Sequence, residues 1–195
     1  MDTGELTREA TLSYKEKLER KYRPVSVNVK LSALNSFFSF IGRSDLKLKC
    51  LKIQESPYCP AEKELSKGEY LRLVRAALVR KNEKLALILQ TICGTGIRVS
   101  EVKYVTAEAV CQGEAVIRLK GKTRMVLFPK KLQKVLKGYM RREKISAGPI
   151  FITRTGSPLD RSNIWKMMKA LCRDAEVDAT KVFPHNLRHL FARCF

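Results

Sequence analysis

The chain has 195 residues, 45% of them hydrophobic, which is enough for one medium domain or for a small one beside a larger one. Lysine and arginine number 39 against 19 acidic residues, a formal net charge of +20 spread through every segment. That field matches a polyanionic partner, most commonly nucleic acid, with a ribosomal or a basic membrane-surface protein as the alternatives; no apolar run is long enough to span a bilayer.

Six cysteines (Cys50, Cys59, Cys93, Cys111, Cys172 and Cys194) form no C-x-x-C pair, and neither His185 nor His189 is spaced from them like a zinc site. Cys93 and Cys172 fall in apolar helical patterns as small core residues. Free thiols, no bound metal and a soluble cytoplasmic protein are expected. The acidic start, Met1-Asp2-Thr3-Gly4-Glu5, lacks the apolar core of a signal peptide.

In chain order, Thr7 caps a helix over residues 8–22, ended by Arg23-Pro24. A second helix over 25–41 places Val27, Leu31, Leu34, Phe37, Phe38 and Ile41 on one face, and Gly42 stops it. A short basic piece follows over 45–53. This helical module, 1–55, is thin for independent stability, as if a first helix were lacking. Residues 56–64, with Pro57 and Pro60, form a linker to a third region, 65–195. There Ser66 opens a capping box with Glu69 and a helix to Val79, and Asn82 caps a helix over 83–93.

Gly94-Thr95-Gly96-Ile97-Arg98-Val99-Ser100-Glu101 then delivers an arginine after a glycine turn, at the start of a new helix. A helix start favours an anion, a guanidinium adds a bidentate phosphate fork, and Glu101 sits one turn on to orient it. From Val105 the period changes. Residues 115–119 and 125–128 are strands of a hairpin whose tip, Lys120-Gly121-Lys122-Thr123-Arg124, carries three cations; Gln112-Gly113 marks a turn to one more short strand before it. A basic helix over 131–142 follows, with Lys130, Lys131, Lys134, Lys137, Arg141 and Arg142 as a solvated face. Residues 150–152 are a short strand or an extended piece, and Asp160 caps a helix over 161–175 that buries Ile164, Trp165, Met168, Leu171 and Cys172.

Pro184 starts the last helix, in which His185, Arg188 and His189 share one side while Leu187, Leu190 and Phe191 anchor the other. A titratable imidazole beside a fixed cation suits proton transfer at a phosphate. The fold class is therefore mainly α with a small antiparallel β-sheet: a helical domain followed by an α+β domain.

Gly-Ile-Arg-Val-Ser-Glu, a hairpin lysine and His-Asn-Leu-Arg-His, in that order, closely resemble the catalytic half of the tyrosine recombinase (phage integrase) family. The resemblance spans nearly the whole chain and makes the first domain similar to that family's SAM-like core-binding domain. It implies site-specific recombination or integration of double-stranded DNA, with Arg98 and Arg188 clamping the scissile phosphate and Glu101 holding Arg98. His185 would assist proton transfer at the nucleophile and Lys122 would protonate the leaving oxygen, with Lys120 the other candidate for the hairpin lysine. His189 would brace the helix, the alternative being a bond to the phosphate. Lys30, Lys120 and Arg124 are expected to contact DNA, with Asn35 and Ser36 facing it on the second helix. No metal and no cofactor are implied; the partners are DNA and further recombinase copies on paired sites.

Family members continue into a Gly-His box and a nucleophilic tyrosine, whereas six residues follow His189 here and none is tyrosine. The expectation is a truncated chain that clamps a phosphate without cleaving, the alternative being a non-catalytic DNA-binding remnant or regulator. A type IB topoisomerase and a basic RNA-binding or ribosomal protein are the further rivals.

Overall fold

The computed structural model describes residues 6–53, 61–119 and 121–194. The chain divides into two compact units, residues 1–58 and 59–195. Lys120 and most of the expected linker lie outside the described residues.

In the first unit, α1 (Arg8–Lys21) is capped by Thr7, whose side chain accepts the Ala10 N–H at 3.2 Å. Pro24 sets the first turn of α2 (Pro24–Phe40). Val27, Leu31 and Phe38 are buried as the helical spacing requires, but Phe37 and Ile41 are exposed. The residues after Gly42 form a 3-10 turn (Ser44–Leu46) and then an extended strip. Two asparagines of α2, seven residues apart and so on one helix face, fasten that strip through its backbone. Asn35 receives the Leu48 N–H at 2.9 Å and donates to the Leu48 carbonyl at 2.8 Å; Asn28 does the same to Leu51, at 2.7 and 2.9 Å. The amide of Asn35, a residue expected to face DNA, is thus engaged in tying this strip to α2. Ser36 donates back to the Ser32 carbonyl.

The second unit is built around α4 (Glu83–Thr95), which follows α3 (Lys67–Val79). Leu85 to Leu89 in succession, then Thr91, Ile92 and Cys93, are all buried, so α4 is apolar on every side and sits at the centre. Ser66 and Glu69 form the expected capping box on α3, and Asn82 caps α4. After α4 come a 3-10 helix (Val99–Tyr104) and α5 (Ala107–Gln112), capped by Thr106 and ended by Gly113 at φ +92°. A helix therefore stands where a further strand was expected: Ala-Glu-Ala-Val-Cys-Gln behind a threonine cap favours it.

The strands β1 (Glu114–Leu119) and β2 (Lys122–Leu127) pair antiparallel, from Glu114 opposite Leu127 to Leu119 opposite Lys122. Ala115, Ile117 and Val126 turn into the core, while Val116, Met125 and Leu127 face out. Next comes α6 (Lys130–Arg142), burying Leu132, Leu136, Tyr139 and Met140. Then α7 (Arg161–Leu171), capped by Asp160, ends earlier than its sequence pattern suggests, and α8 (Pro184–Cys194) packs directly on α4. Cys93 and Cys172 lie in this core as expected. No helix of the described residues is long and apolar enough to cross a membrane.

Candidate functional site

The glycine turn at the end of α4 does two things at once. Gly96 adopts φ +63°, a left-handed cap that only glycine takes without strain, and its N–H closes on the Ile92 carbonyl at 3.0 Å. A Cβ there would fall into the Phe191 ring of α8. The Gly96 carbonyl accepts a hydrogen bond from the Arg188 guanidinium. The turn that aims Arg98 is thus also the seat of Arg188. The start of α8 is fixed independently: buried Asn186 donates to the carbonyls of Lys63 and Lys181, both at 2.7 Å.

Arg98 is the extended residue that leads into the 3-10 helix, not part of an α-helix. Glu101 is 1% exposed and carries this corner. Its carboxylate accepts from the Arg98 backbone N–H at 2.9 Å, from Arg98 Nη1 at 3.1 Å and from the Arg124 guanidinium of β2. Burial pushes the Glu101 carboxyl up, but these donors together hold it below the usual carboxylate range, so it stays ionised. The Arg98 side chain remains 57% exposed, tethered at one edge and open at the other.

Arg98, Ser100, His185 and Arg188 line one cleft of about 520 Å³, together with Arg161 and Trp165 of α7. Burial first, and then the positive fields of Arg98 and Arg124, lower the Arg188 pKa; Glu101 opposes them. Burial, followed by His189, Arg188 and Arg98, lowers the His185 pKa below its ordinary 6.5. One buried carboxylate among several guanidiniums leaves positive charge that an anion can neutralise.

The structure therefore brings together Arg98, Glu101, His185 and Arg188. His189 stacks edge-on against His185, with ring centroids 4.4 Å apart. Lys122 is exposed at the start of β2, outside the cleft lining, but alternation puts it on the same hairpin face as Arg124. Arg124, expected as a tip cation for DNA, is turned inward onto Glu101. Lys30 lies in the first unit, its ammonium 4.7 Å from the centre of the Tyr22 ring.

Two cleft residues escape a sequence reading. Trp165 was expected in the core, yet it is 45% exposed; the buried face of α7 is filled by Ile164, Met168 and Leu171. Arg161 stood only as the first residue of a helix. Their i, i+4 spacing behind the Asp160 cap was the available signal, since it puts both on one face.

Residues 63–194 match the phage integrase family, and the chain belongs to it. Among its relatives, the tyrosine recombinase XerA of Pyrococcus furiosus is 28% identical over 191 residues, covering 93% of this chain and 64% of that protein. XerD of Halalkalibacterium halodurans is 28% identical over 204 residues, covering 96% of this chain and 67% of that protein. The chain thus spans about two thirds of the length of these relatives. A crystal structure of XerA recombinase superposes with a TM-score of 0.59 at 25% identity, covering 97% of this chain and 69% of that one. The fold is also that of XerH recombinase bound to its difH substrate, with a TM-score of 0.69 at 18% identity, covering 96% of this chain and 59% of that one.

Proposed function

We propose that this chain serves site-specific DNA recombination by binding duplex DNA and clamping one phosphodiester between Arg98 and Arg188. The observation that carries this is the convergence of the two arginine boxes, far apart in sequence, on one cleft through the Gly96 carbonyl and the Glu101 carboxylate. Recombination by this family is a phosphoryl transfer, in which catalysis is mostly positioning and charge neutralisation.

The two guanidiniums would take the non-bridging oxygens, and Glu101 would hold the pose of Arg98 and Arg124. His185, with its lowered pKa, would be neutral near pH 7 and able to accept a proton beside the phosphate. Lys122 would be carried to the leaving 5′-oxygen by movement of the hairpin. The helices of the first unit would grip the duplex as a core-binding domain. Proteins of the same fold have been solved on DNA, including a λ integrase dimer bound to a core site and a λ integrase tetramer bound to a Holliday junction. Assembly with further recombinase copies is proposed on that basis.

A second reading is binding without cleavage. No tyrosine among the described residues lines the cleft, so the geometry supports a grip on the phosphate but no attack from these residues. Anisotropy titration of labelled duplex DNA, repeated across salt concentrations, tests the common core of both readings. A steep salt slope is expected, with Arg98→Ala costing more affinity than Lys137→Ala. Equal losses would contradict an assembled clamp. A denaturing gel after incubation with a nicked suicide duplex separates the readings: a covalent protein–DNA band supports recombination chemistry in this chain, and binding without a band supports the second.

A further inference from the structure

The cleft is larger than the clamp requires. Its volume, about 520 Å³, is on the scale of a drug-sized ligand, whereas a single phosphate needs a fraction of that. Its lining is also mixed. Beside the cations stand the accessible apolar side chains of Val99, Phe183 and Trp165. Trp165 is the chain's single tryptophan and is nearly half exposed, although tryptophan is among the more buried residue types on average. Packing does not account for its place, because the core side of α7 is complete without it. The indole is steadied on its own helix by Lys169, whose ammonium lies 5.5 Å from the ring centre. One turn earlier on the same face, Arg161 brings a further guanidinium to the cleft.

A phosphodiester in DNA is an anion between two deoxyriboses, and the cleft repeats that order: cations with an aromatic face beside them. We propose that Trp165 and Arg161 form a nucleoside subsite next to the clamp. The indole packs on the sugar, and on any base displaced beside it, of the nucleotide adjoining the clamped phosphate; Arg161 takes the next phosphate along the strand. The subsite sets how deeply the backbone seats between Arg98 and Arg188. It rests on the reading of the cleft as a phosphodiester site, but it assigns residues that a phosphate clamp alone does not need. Aromatic contacts of this kind tolerate any sequence, because every sugar and base offers an apolar face.

The single tryptophan makes the test direct. The full chain is titrated with mixed-sequence duplex DNA, following the anisotropy of labelled DNA, the intrinsic emission of Trp165 and its accessibility to acrylamide. The expected result is that emission changes and acrylamide protection appear in step with binding. Trp165→Ala should weaken binding about five- to tenfold, Trp165→Phe should retain most of the affinity, and Arg161→Gln should fall between them. The protection measurement needs no variant, so it stands even where Trp165→Ala folds poorly. If DNA binds and Arg98→Ala weakens it, yet Trp165 stays equally accessible and its variants bind like the parent chain, the subsite is overturned and the clamp survives. If Arg98→Ala binds as tightly as the parent chain, the clamp itself fails and takes the subsite with it.

Discussion

Two basic regions of the second unit differ in how their charge is held. The α6 helix displays Lys130, Lys131, Lys134 and Arg141 to solvent, and among the described residues none of these four is in an ion pair. Of the three arginines that line the cleft, Arg98 is held by a buried glutamate and Arg188 by the backbone carbonyl of a glycine turn. Flexible lysines raise the local potential and attract any polyanion, with little geometric preference. Guanidiniums held at fixed points, partly out of water, can recognise one phosphate and cost little reorganisation when it arrives. What separates a site from a basic surface is the fixing of charge, and Glu101 is the residue that does most of it.

The largest effect is expected from Arg188→Ala, which removes one prong and its tie to Gly96. Affinity for duplex DNA should fall by about tenfold to a hundredfold in an anisotropy titration, the range for a charge-assisted contact. Next is Glu101→Ala, which leaves Arg98 and Arg124 without their shared carboxylate. Urea unfolding should show a loss of about 1–3 kcal/mol, less than for a fully buried pair because both arginines are partly exposed. Gly96→Ala should cost about 1–3 kcal/mol in the same measurement, through its positive φ and the Phe191 ring.

A subtler effect concerns pH. Burial and the positive neighbours of His185 lower its pKa, so the free protein binds fewer protons there than the unfolded chain does as pH falls below 6.5. That contribution to stability is whole above 6.5 and declines in acid. A bound phosphate reverses the field and favours the imidazolium. DNA binding should therefore take up a proton and tighten as the pH falls through and below 6.5, and His185→Gln should flatten that slope. The smallest change is expected on α6: Lys134→Gln should alter affinity less than about threefold and reduce the salt slope by no more than about one. A loss on α6 as large as that of Arg188→Ala would erase the distinction between the two regions.

Much of this was legible in the sequence. Thr7, Ser66 with Glu69, Asn82 and Asp160 marked helix starts, and each cap bonds as its side chain requires. The order of the arginine boxes pointed to the cleft, because family motifs fix which residues meet even when spacing does not. Less visible was anything decided by packing between elements. Arg124 sits at a hairpin tip by sequence, and only strand alternation turns it toward a buried glutamate on another element. Asn35 looks like a polar surface residue until the strip at Leu48 lies against it. Trp165 fits an apolar helical stripe, but α7 needs only three buried residues to fill its side of the core. The Arg188 bond to Gly96 joins two motifs through a backbone atom, which no side-chain pattern can announce.

The central claim is that Arg98 and Arg188 hold the same phosphate. A double-mutant cycle on duplex DNA, comparing Arg98→Ala, Arg188→Ala and the pair, tests it most directly. Shared engagement predicts strong non-additivity: once one prong is gone, removing the second should cost much less affinity than it does alone. Losses that simply add would place the two arginines on separate phosphates and contradict the clamp.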